Sequence, residues 1–170
     1  MTYNELADLV FDGLQPVLAE HVGVQLYAME REKFDGWLHV ELCRIMVQHG
    51  LHPEPTDKLV DLVFGKWALD VRTINTNIPH DGCRAKGRPI KKEIDDLLKD
   101  IWKLTNPGKA LAAPHRGVLL LAFPTTQENE RWQSVHLSQI RSELTQLLYR
   151  EFEFKGNIPG VLYLGLCSEN

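Results

Sequence analysis

Most familiar signatures of chemistry are missing from this sequence, and each absence removes a class of protein. Its 170 residues include three cysteines, Cys43, Cys83 and Cys167, widely spaced and odd in number. That rules out a disulfide framework and a CxxC metal knuckle, and the expected setting is a reducing cytoplasm. Neither GxxxxGK[ST] nor GxGxxG occurs, so no standard phosphate-cradling loop is present. No apolar run approaches the roughly 20 residues that span a bilayer, so no membrane segment is expected. The first residues carry Glu5, Asp8 and Asp12 with no basic stretch, unlike a signal peptide. Positive charge is not in excess either, the net formal charge being −4. Nucleic-acid binding would therefore need a local basic patch, because counterions are released only where phosphates are contacted.

What remains is an ordinary globular composition, 44% hydrophobic and 25% charged, in a chain of single-domain length. One domain over residues 1–170 is expected, with no internal repeat. Leu6, Leu9, Val10 and Leu14 form a helical stripe over residues 3–20, which Pro16 should kink or break. "DGWLHVELCRIMVQHG" has Trp37, Leu38, Leu42, Ile45 and Met46 at helical spacing, with Asp35 as its cap and Gly50 as its stop. "DKLVDLVFG" and "KWALDVRTINTN" read as a hairpin turning at Gly65-Lys66. Residues 78–90 read as an exposed loop and about 89–104 as a helix. "RGVLLLAFP" has the continuous apolarity of a strand buried on both faces. About Asn129 to Phe152 reads as a long amphipathic helix, and "GVLYLGL" as a last strand. The sum is an α/β protein with a central mixed sheet flanked by helices.

The hairpin carries the chemistry. Alternation along a strand puts Asp70 and Arg72 on one face, and pairing about Gly65-Lys66 sets Asp61 opposite or nearly opposite Asp70. Two facing carboxylates repel unless a cation lies between them, and a hard divalent ion is a natural occupant. The pattern D-x8-D-x-R on a hairpin, with Glu41 on the preceding helix and a helix and strand to follow, resembles the PD-(D/E)-x-K nuclease superfamily. The resemblance covers about residues 35–123 and implies a restriction-endonuclease-like fold. It implies that Asp61 and Asp70 ligate Mg²⁺ or Mn²⁺, with Glu41 assisting directly or through water. It implies that Arg72 stands in the place of the motif lysine on the scissile phosphate. Val60 replaces the motif proline, and Asp70 is the less common acid. Arginine can grip a phosphate through its fork but is a poor proton acceptor. Lys91 and Lys92 are the candidate substitutes for the missing lysine.

The run "CRAKGRPIKK" holds Arg84, Lys86, Arg88, Lys91 and Lys92 without an acid, and is the candidate contact to a DNA backbone. Thr73, Asn75 and Asn77 are read as continuing the Asp70 face toward substrate. His49 and His52 lack partners at zinc-site spacing, and neither Cys43 nor Cys83 sits in a nucleophile motif. The expected function is Mg²⁺-dependent hydrolysis of nucleic-acid phosphodiester bonds, with a homodimer as one way to address two strands. A non-catalytic nuclease-like module that binds nucleic acid or a protein is the alternative. A structural Asp70–Arg72 ion pair competes with both.

Overall fold

A computed structural model describes residues 1–54, 56, 60–84, 89–106 and 112–169, with Ser168 and Glu169 by backbone alone. The first helix, α1 (Tyr3–Glu20), starts in a capping box: Thr2 accepts from the Glu5 N–H while the Glu5 carboxylate accepts from the Thr2 N–H. Pro16 lies inside α1 without ending it. The bond it removes is that to the Asp12 carbonyl, and both residues are on the exposed side, where water can take the carbonyl. A second helix absent from the sequence reading, α2 (Val22–Glu30), is apolar on every side, so it has no stripe by which to recognise it. It ends at Arg31 in the left-handed conformation, and α3 (Asp35–Gln48) follows.

The hairpin forms as expected, with β1 (Leu62–Phe64) antiparallel to β2 (Trp67–Asn75) about Gly65-Lys66. Helix α4 (Ile90–Thr105) then crosses over to β3 (His115–Phe123), parallel to β2. The expected helix over residues 129–152 is corrected by the structure. Only a short stretch is helical, π-wound over Trp132–Leu137 and continuing as α5 (Ser138–Ser142). Residues 146–154 form the strand β4 (Gln146–Phe154), which pairs with β5 (Ile158–Glu169). The "FEF" segment buries Phe152 and Phe154 with period two, and that alternation decides against a helix.

The five strands lie in the order β1-β2-β3-β5-β4, mixed because only β2 and β3 are parallel. Helices α1 to α3 pack on one face, over Leu69, Val71, Leu119 and Leu121. Helices α4 and α5 cover the other, over Ala68, Ile74, Val118 and Leu120. Strand β3 is thus buried on both sides. No helix among the described residues is long and apolar enough to cross a membrane.

Sheet closure needs one glycine in particular. A Cβ at Gly117 would stand 2.5 Å from the Gly165 carbonyl oxygen, beside the register shift between Arg116 and Gly117. Gly36 in α3 has nothing within 4 Å of such a Cβ. Gly117→Ala should therefore cost about 1–3 kcal/mol of stability, as overpacking against backbone does. Gly36→Ala should add about 0.4–1 kcal/mol by restricting the unfolded chain. Urea denaturation of the two variants checks the opposite signs.

Candidate functional site

Because β1 has only three residues, it pairs with β2 no further than Leu69. From Asp70 onward no strand among the described residues lies beside this edge of β2, and its N–H groups take other acceptors. Asp61, immediately before β1, accepts from the Val71 N–H at 2.8 Å. Asp35, the first residue of α3, accepts from the Thr73 N–H at 2.6 Å. Asp35 thus closes the sheet edge and does not cap its own helix, where Phe34 is the cap residue. Val71 directs its carbonyl to the same open edge as its N–H, since both leave a strand on one side.

Asp70 projects to the α4 face, as its neighbours Ala68 and Ile74 do. It is 5% exposed. Its Oδ2 is buried and accepts no hydrogen bond among the described residues, although the Arg72 Nε lies 3.1 Å away. Extending the Leu62–Leu69 register by one pair brings Asp61 opposite Asp70. The Asp61 carboxyl is near enough to act on the charge of Asp70. Burial pushes the Asp70 carboxyl up to about 8; Arg72 opposes the rise, and Asp61 and Asp100 add to it. Burial also raises the nearby Cys167 thiol to about 12, with Asp70 contributing, so that thiol is inert.

Arg72 bridges strand and helix. Its Nε and Nη2 reach the Asp100 Oδ2 at 3.1 and 2.6 Å, and the Asp100 Oδ1 takes the Lys103 Nζ at 2.7 Å. Beside it a cleft of about 220 Å³ is lined by Lys33, Arg72, Thr73, Glu93, Asp96 and Asp100. A larger groove, about 730 Å³, surrounds the exposed Trp102 on α4 and holds none of the residues expected to act.

Asp61, Asp70 and Arg72 are therefore together. Glu41 is not placed with them: it lies on α3, which packs against the opposite face of the sheet, and its Oε2 pairs with the Arg44 Nε at 2.7 Å. Among the described residues no three His, Cys, Asp or Glu side chains gather closely enough to hold a metal ion. The Asp61–Asp70 pair still fits Mg²⁺, which takes one or two carboxylates and keeps its waters for substrate oxygens. The buried Asp70 oxygen without a hydrogen bond is the observation that favours this fit.

Lys91 and Lys92 are exposed in the first turn of α4, and Lys92 precedes Asp100 by eight residues, about 12 Å along the helix. The lysine that lines the cleft is Lys33, 3.4 Å from Glu93. Arg84 is exposed and paired with Glu30 at 2.9 Å, while Lys86 and Arg88 lie outside the described residues. Thr73 and Asn75 do not share the Asp70 face. Alternation turns them to the other side, where the Thr73 hydroxyl accepts from the Phe34 N–H and donates to Asp35, and Asn75 bonds Arg31. Asn77 lies past the end of β2, its N–H on the Asn75 side chain.

Sequence reasoning missed Asp100 and Lys33. Asp100 had a signal: Glu93, Asp96 and Asp100 recur at helical spacing along the Ile94, Leu97, Ile101 stripe. Lys33 had none, because it falls between two helices. No family model matches the chain, and comparison with curated proteins and with solved structures finds no match.

The raised Asp70 carboxyl gives stability a definite pH dependence. The folded chain keeps this proton up to about pH 8, whereas an unfolded aspartate releases it near pH 4. Unfolding releases the proton between those values, so this contribution to stability falls as pH rises from about 4 to about 8. Urea midpoints at pH 5 and pH 8 should differ in that direction, and Asp70→Asn should shrink the difference.

Proposed function

We propose that the chain is a nuclease-like protein of restriction-endonuclease-like fold that hydrolyses nucleic-acid phosphodiester bonds, DNA being the expected substrate, with Mg²⁺ or Mn²⁺ at Asp61 and Asp70. The observation that carries this reading is the pair of facing carboxyls where β1 ends against β2, with a cationic side chain two residues on. Asp61 and Asp70 would hold the ion, and the Val71 carbonyl faces the same edge. Bound there, a divalent ion supplies Lewis-acid stabilisation and a water acidified toward neutrality.

The chain's own groups do the rest. Asp70 gives up its proton on loading, so ion binding releases protons and strengthens toward pH 8. Arg72 contacts its two acids through Nε and Nη2, which leaves Nη1 outside those contacts for a phosphate oxygen. Arg72 holds its charge at all working pH values and takes no part as a base. Lys33 supplies a second positive charge at the cleft, balanced by Glu93.

One contact favours a second reading, a module of this fold that binds without cutting. The Arg72 Nε lies 3.1 Å from the Asp70 Oδ2, so an internal cation already balances part of the acid pair.

Calorimetry with Mn²⁺ at low salt and neutral pH, on wild type and Asp70→Asn, tests the first reading against the second. The expected result is saturable binding with proton release, abolished by the substitution, and Mn²⁺-dependent nicking of plasmid or single-stranded DNA that is lost with it. DNA binding without ion binding or cleavage would favour the second reading. Neither activity in the wild type would contradict the first reading and leave, of the second, only a module that binds a protein.

A further inference from the structure

The geometry points to Asp100 as a positioning residue that draws the Arg72 Nη2 away from Asp70, so that only Nε engages that acid and the Asp61–Asp70 pair stays open to a divalent ion; this rests on the metal-dependent reading above. The Arg72 guanidinium is shared between two acids on different elements. Its contact to Asp100 on α4 is the shorter, 2.6 Å from Nη2, against 3.1 Å from Nε to Asp70 on β2. Asp100 is itself held in place. Its second oxygen takes the Lys103 Nζ at 2.7 Å, one turn further along the helix, and its side chain is 16% exposed.

The consequence follows from charge balance. Asp70 is the more deeply buried acid, with a side chain 6% exposed, and an unshared cation two residues away would pair with it fully. A divalent ion would then have to expel a bidentate guanidinium from a desolvated carboxylate. With Asp100 present, Arg72 has a second anchor, and only its Nε, 3.1 Å from Oδ2, engages Asp70. Asp100 thus acts on the ion only through Arg72 and touches neither ion nor substrate.

Mn²⁺ calorimetry on the full chain tests this with four variants: Asp100→Asn, Asp100→Glu, Arg72→Gln and Arg72→Gln with Asp100→Asn. The asparagine keeps size and shape, and a thermal melt checks that each variant is folded. Asp100→Asn should weaken Mn²⁺ binding by about tenfold or more, the range seen when a ligand's supporting contacts are lost. Asp100→Glu should restore most of the affinity. In the Arg72→Gln background, adding Asp100→Asn should change nothing, which a merely structural role would not produce. Wild-type binding left unaltered by Asp100→Asn would overturn this inference and leave the metal site standing. An equal loss in both backgrounds would also overturn it. No Mn²⁺ binding by the wild type would overturn the metal-dependent reading and this inference together.

Discussion

Arg72 is the cation on which the acids of this site depend. Asp70 and Asp61 face each other beneath α4, and Asp100 comes down from that helix, so three carboxyls crowd one region with Arg72 among them. Arg72 and the other two acids act on the protonation of Asp70, and the three acids act on that of Arg72, so these residues form a unit. The arrangement also ties β2 to α4 by a polar contact across an otherwise apolar interface of Ile94, Leu97 and Ile101. A guanidinium suits that place: it stays charged when half-buried and reaches two acids at once.

The short β1 is the second constraint. A full-length neighbour would satisfy β2 by a continuous ladder and leave no gap. Three residues of pairing leave the Val71 and Thr73 N–H groups to side-chain carboxylates, and this is what draws Asp61 and Asp35 to the edge. Asp61 therefore has a structural task whatever else it does. A structural acceptor and a metal ligand have the same sequence signal at such a position, so sequence could not tell one from the other.

Much of the fold was legible because its signals are periodic. The hairpin turn, the doubly buried β3 and the stripe of α4 all follow from spacing, and the mixed sheet follows from their order. The approach of Asp61, Asp70 and Arg72 was legible too, since strand alternation and one turn fix it. Segments with two periodicities were not. Residues 146–152 are amphipathic as a helix and alternate as a strand, and only the burial of Phe152 and Phe154 decides. Helix α2 has no polar face to mark it. Glu41 sits at a helical position that spacing alone cannot assign to a face of the sheet, and its contact is Arg44. Asp100 is nearly thirty residues from Arg72, a tertiary contact with no local pattern.

Carbon-detected NMR of the side-chain carboxyls, titrated from pH 4 to pH 10, measures whether Asp70 is buried against Asp61 and shares its charge balance with Arg72. The account predicts that the Asp70 carboxyl titrates near pH 8, with a coupled response at Asp61, and that Arg72→Gln moves it further up. An Asp70 carboxyl that titrates below pH 5 without a response at Asp61 would contradict it.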